Sequence, residues 1–103
     1  TIAVTQMACT PDFEENRDCA EKLIRDAASK GAQVILLQEL FEGPYFCKDQ
    51  NPDYFNWAQP AENHRMLERF SSLAKELEVV LPISFFESVE NVFFNSLVKE
   101  SVW

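Results

Sequence analysis

The chain has 103 residues, 47% of them hydrophobic, and a formal net charge of −8. That length holds one domain with a modest core, and nine phenylalanines exclude a disordered tail. The charge excludes a nucleic-acid role, because the nine basic residues are scattered among acids instead of clustered for phosphate.

Two glycines are few for the turns of a complete α/β domain, which points to a piece of something larger. Cys9, Cys19 and Cys47 are odd in number, contain no CxxC pair, and with the single His64 show no zinc-ligand spacing. No metal is therefore expected, and a reduced, cytoplasmic setting is the simplest reading. No stretch has the length of a membrane span, and the amino terminus lacks a basic-then-apolar secretion signal.

In chain order, Ile2 to Ala8 reads as a first strand. It starts so near the terminus that little structure is expected before it. Thr10-Pro11-Asp12 breaks the strand, and Asp12 with Glu15 resembles a capping box. A helix is predicted over Phe13 to Lys30, because Ala20, Leu23, Ile24, Ala27 and Ala28 fall on one face. Glu14, Glu15, Arg17, Glu21, Lys22, Arg25 and Asp26 are then expected to be largely solvated. Gly31 is placed to end the helix in a left-handed conformation.

The apolar run Val34-Ile35-Leu36-Leu37 reads as a parallel strand buried on both faces. Strand, helix and strand make a βαβ unit with an expected right-handed crossover. Asn51-Pro52 breaks the chain again, and Asp53 to Ala58 reads as a short helical turn. A second helix is predicted over Glu62 to Leu77, with Met66, Leu67, Phe70, Leu73, Ala74 and Leu77 as its apolar stripe. Val79 to Phe86 and Val92 to Val98 read as strands of an antiparallel hairpin, joined by a polar turn over Glu87 to Asn91. The chain stops at Trp103 directly after a strand, so a single domain truncated at its carboxyl end is expected over residues 1–103.

Glu39 is the leading candidate for chemistry. Open α/β sheets place their ligand crevice beyond the carboxyl ends of the strands. A rigidly held, partly desolvated carboxylate there suits a general base with a raised pKa. The alternative is a carboxylate that closes the strand and points to water. Glu42 either shares that pocket or is a solvated loop acid. Cys47 is the one cysteine placed for a nucleophile test, since Cys9 ends a strand and Cys19 lies near the helix face, where free cysteine packs as a small core residue. His64, at a helix start among charged neighbours, reads as surface. Tyr45, Phe46, Tyr54, Phe55 and Trp57 either line a ligand pocket or simply pack.

The blocks Thr5-Gln6-Met7-Ala8-Cys9, Gln38-Glu39-Leu40-Phe41-Glu42-Gly43-Pro44-Tyr45-Phe46-Cys47 and Val80-Leu81-Pro82-Ile83-Ser84-Phe85-Phe86-Glu87 stand in an order that resembles the amino-terminal part of the nitrilase superfamily, the carbon–nitrogen hydrolases. The resemblance covers residues 2 to about 98. It implies an α/β fold, the amino-terminal part of an α-β-β-α sandwich, with the βαβ unit followed by a helix and a β-hairpin. It also implies a Glu-Lys-Cys triad in which Glu39 is the general base acting on a small ureido-amine substrate, and no metal or organic cofactor; of the loop aromatics, Tyr45 is the candidate substrate contact. A homo-oligomer without nucleic-acid or membrane partners is the expected state.

The triad's lysine and cysteine fall on segments that this chain does not contain. Cys47 does not match the nucleophile position, and Lys99 lies too close to the hairpin to match the lysine. Lys99 to Trp103, Glu62 to Arg69 and the turn near Asn91 depart from the family pattern. Two readings follow: part of a ureido or amide hydrolase that carries the base alone, or a non-catalytic module whose uncovered half-sandwich is an association surface.

Overall fold

A computed structural model describes residues 1–44, 56–90 and 92–101 of the chain. The first turn of helix α1 (Phe13–Ser29) is fixed by Asp12, whose side chain accepts from the Glu15 N–H at 3.1 Å. The Asp12 N–H donates to Thr10 Oγ1 at 3.2 Å and not to Glu15, so only half of the expected capping box forms. Ala20 and Ile24 on its inner face are fully buried. At the other end Gly31 takes φ +94°, and the Ala32 N–H reaches the Ala27 carbonyl at 3.1 Å, which closes the last turn.

Helix α2 (Arg65–Leu77) buries Met66, Leu67, Phe70, Leu73 and Ala74 against the sheet. It starts three residues later than the apolar stripe predicted. Asn63 has φ +60° and His64 is extended, so neither joins the helix. Its carboxyl end is capped by Glu78 at φ +55°, with the Val79 N–H on the Ala74 carbonyl at 3.0 Å. A side chain in that left-handed position is strained by its own Cβ.

Strand β1 (Ile2–Val4) pairs in parallel with β2 (Val34–Leu36), and β3 (Leu81–Val89) pairs antiparallel with β4 (Val92–Glu100). The two ladders join through a parallel bridge between Val34 and Val80, with the Ile35 N–H on the Val80 carbonyl at 3.0 Å. The sheet therefore runs β1-β2-β3-β4, with α1 and α2 over one face. β1 is shorter than the predicted span to Ala8, and one further bond, from the Thr5 N–H to the Leu36 carbonyl at 2.9 Å, extends it. The hairpin strands run on to Val89 and Glu100, so the expected polar turn shrinks to the link after Val89, where Glu90 has φ +46°.

The expectation that the Val34 run is buried on both faces is wrong for this chain. Ile35 and Leu37 are buried, whereas Leu36 is 43% exposed. Val4, its partner in the ladder, is 74% exposed, and Leu97 is 69% exposed. Paired residues share a face, so the face opposite the helices is apolar and open among the described residues.

Candidate active site

Beyond the carboxyl end of β2 the chain turns through Gln38 to Gly43, and groups from the segment after β1 and from α1, α2, β3 and β4 grip this turn. The Gln38 carboxamide accepts from the Met7 N–H at 2.9 Å and donates to Cys9 Sγ at 3.1 Å. The Cys9 thiol in turn donates to the Phe41 carbonyl at 3.2 Å. Burial pushes this thiol above its ordinary value, Cys19 adds to the rise, and the Gln38 bond opposes it. Cys9 is thus an orienting group and not an activated nucleophile.

Asn16, fully buried on α1, donates to the Glu42 carbonyl at 2.8 Å and to the Thr10 carbonyl at 2.6 Å. Phe41 packs edge-to-face on Phe70, with ring centroids 5.5 Å apart. Gly43 lies so close to Phe13 that a Cβ would sit 2.6 Å from the ring, which explains a glycine there.

Leu40 carries the local strain. It is buried at φ +51°, a region that costs a residue with a Cβ about 1–2 kcal/mol. Its N–H donates to Ser84 Oγ on β3 at 3.2 Å. Strain of this kind gathers at working sites, where surrounding contacts hold it in place.

Glu39, immediately before Leu40, borders an open depression of about 330 Å³ together with Leu36, Pro82, Ser84, Asn95 and Leu97. Asn95 Nδ2 donates to Glu39 Oε1, and Ser84 Oγ donates to Asn95 Oδ1 at 3.0 Å. The residue is exposed, and not partly desolvated as expected, because the sheet face beneath it is uncovered. The site thus holds an oriented carboxylate beside an apolar floor. Among the described residues its lining includes no cysteine, and no group of three His, Cys, Asp or Glu is placed to hold a metal ion.

Glu42 follows neither of its expected courses. It turns away from the depression and meets Arg17, whose Nε and Nη2 both lie 2.9 Å from Glu42 Oε2. Arg17, expected to be solvated, is only 21% exposed in this pair. His64 is likewise buried, against the surface reading. Its ring packs edge-to-face on Phe85 at 5.5 Å, with Nε2 3.9 Å from Glu42 Oε1. Burial holds its pKa below the usual 6.5; Glu42 pulls it up and Arg17 pushes it down. Trp57 packs edge-to-face on Phe13 at 5.2 Å. Tyr45, Phe46, Cys47, Tyr54 and Phe55 lie outside the described residues.

Sequence reasoning did not single out Ser84 and Asn95. The available signal was Ser84 between Ile83 and Phe85 on β3, and the polar pair Asn95-Ser96 between Phe94 and Leu97 on β4.

A parallel βαβ unit with a carboxylate beyond its second strand, followed by a helix and a hairpin, places that carboxylate where open α/β sheets bind their ligands. The chain belongs to the carbon–nitrogen hydrolase family, whose model matches residues 1–100. It is 52% identical over 97 residues to an N-carbamoylputrescine amidase of Oryza sativa subsp. japonica, covering 94% of this chain and 32% of that protein. An N-carbamoylputrescine amidase of Solanum lycopersicum is 50% identical over 97 residues, with the same coverage of 94% and 32%. Among solved structures, a carbon–nitrogen hydrolase from Helicobacter pylori G27 superposes with a TM-score of 0.82 at 30% identity. That match covers 94% of this chain and 34% of that one. The chain therefore spans about a third of the length of the relatives it matches, corresponding to their amino-terminal third.

Proposed function

We propose that the longer protein carrying this chain hydrolyses a ureido carbon–nitrogen bond, with N-carbamoylputrescine as substrate and putrescine, carbon dioxide and ammonia as products. The observation that carries this reading is the identity of about half over 94% of the chain to N-carbamoylputrescine amidases. In this reading the open apolar sheet face is covered by the second half of an α-β-β-α sandwich, which brings the family's lysine and cysteine to Glu39.

Glu39 takes the proton of the cysteine thiol, and the thiolate attacks the ureido carbonyl. The lysine's fixed positive charge stabilises the tetrahedral oxyanion. The proton held on Glu39 passes to the departing nitrogen, leaving a covalent carbamoyl- or acyl-enzyme. Water, deprotonated by the same carboxylate, then releases it. The substrate is a small ureido amine, with Tyr45 as a contact, in a homo-oligomeric cytoplasmic enzyme that needs no metal.

The test is ammonia release from N-carbamoylputrescine and from 3-ureidopropionate by the full-length protein and its Glu39→Gln variant. Loss of about 10²–10⁴-fold is expected for the variant, the usual contribution of a positioned base. Undiminished turnover by Glu39→Gln would overturn the role of Glu39, and preference for 3-ureidopropionate would replace the substrate. The isolated 103-residue chain is expected to show negligible turnover. Hydrolysis by that chain, lost on Cys47→Ala, would instead make Cys47 the nucleophile.

The open apolar face also favours a second reading, a non-catalytic association module. Light scattering on the size-fractionated chain separates the two, since a well-folded monomer counts against an obligate partner.

A further inference from the structure

We propose that Asn95 and Ser84 are positioning residues for the Glu39 carboxylate, an inference that rests on reading Glu39 as the base. The argument is one of direction. The Leu40 N–H can only donate, and Ser84 Oγ is its acceptor at 3.2 Å. The Ser84 hydroxyl proton is thereby free to go outward, to Asn95 Oδ1 at 3.0 Å. With its oxygen engaged, the Asn95 carboxamide has one orientation left, with Nδ2 toward Glu39 Oε1. The relay ends on Glu39 Oε1, which accepts from Asn95 Nδ2.

Because Leu40 follows Glu39 in the chain, the four groups close a ring in which every donor points the same way. Ser84 on β3 pairs with Leu97, and Asn95 lies two residues before Leu97 on β4, so the hairpin holds the two as diagonal neighbours on one face. The ring does two things at once. It holds the left-handed turn at Leu40, and it commits one carboxylate oxygen, leaving Oε2 to face the reacting thiol. A base turned a fraction of an ångström from its proton loses rate without losing substrate affinity.

The experiment compares Asn95→Ala, Ser84→Ala, Ser84→Thr and Glu39→Gln in the full-length hydrolase, with circular dichroism to establish folding. We expect kcat to fall about 10- to 100-fold for Asn95→Ala, with KM within about twofold. Ser84→Ala is expected to lose less, and Ser84→Thr, which keeps the hydroxyl, to recover most of it. In the 103-residue chain, the Asn95 side-chain amide resonances are expected to shift on Glu39→Gln and on Ser84→Ala, but not on Lys22→Gln at the exposed face of α1.

If Glu39→Gln abolishes turnover while Asn95→Ala keeps full kcat, the positioning inference fails and the base assignment stands. If Glu39→Gln is fully active, the base assignment itself has failed. Asn95 resonances indifferent to both Glu39→Gln and Ser84→Ala would refute the ring, whatever the kinetics.

Discussion

Replacing Arg17 by Met and Glu42 by Gln, singly and together, asks whether α1 anchors the turn that carries Glu39. The Arg17 and Glu42 side chains are 21% and 15% exposed, and two guanidinium nitrogens meet one carboxylate oxygen, each at 2.9 Å. Exposed ion pairs contribute about 0.2–1 kcal/mol, while stranding one member of a fully buried pair costs about 3–5 kcal/mol. A pair one-fifth exposed falls between these limits. Each single variant is expected to lose about 1.5–3 kcal/mol, with a coupling energy of about 1–2 kcal/mol in the double-mutant cycle. The Arg17 contact with Glu14 adds little, because Glu14 is 67% exposed. The Asn16 bond to the Glu42 carbonyl survives all three variants, since it uses the backbone. Urea unfolding followed at 222 nm provides the free energies. A coupling energy below about 0.3 kcal/mol would place the pair among exposed ones and remove the anchor.

Glu78→Gly relieves the left-handed cap of α2 and is expected to stabilise the chain by about 1 kcal/mol, read as a higher urea midpoint at unchanged slope. A lower midpoint would mean that the Glu78 side chain makes a contact worth more than the strain. His64→Gln tests burial by pH. The folded state holds the His64 pKa below 6.5, so as pH falls through 6.5 the unfolded chain takes up a proton that the folded chain refuses. Stability then falls with pH, by up to about 1.4 kcal/mol per unit, until the folded-state pKa is reached. His64→Gln is expected to flatten that slope below about pH 6.5. An unchanged slope would assign it to other groups.

The elements that local periodicity controls were legible in the sequence. Asp12, the Ala20–Ile24 face and Gly31 specify α1 within one stretch, and the apolar stripe of α2 does the same. Glu39 could be placed at a strand end because a run of four apolar residues stopped there. What was not legible depends on partners far along the chain. An apolar run does not reveal which of its faces will be covered, so the exposure of Leu36 was missed. Burial of His64 needs Phe85, and that of Glu42 needs Arg17, 25 residues earlier. Local charge patterning assigned His64 and Arg17 to water and left Glu42 between the pocket and water. Ser84 and Asn95 stand 44 and 56 residues from the groups they bond at the turn, so only the assembled hairpin relates them to Glu39.

The turn after β2 also has a kinetic consequence. The Thr10–Asn16 brace is local, but the turn's ties to Met7, Ser84 and Asn95 span 31, 44 and 56 residues. Long loops close late, because their entropy is lost before their contacts form. The geometry around Glu39 is therefore expected to crystallise after the transition state, when helices and sheet are already docked. Substitutions at Ser84 or Asn95 should then hasten unfolding and leave the refolding rate nearly untouched. The surroundings of Glu39 would be the last part of the chain to take shape and the first to loosen.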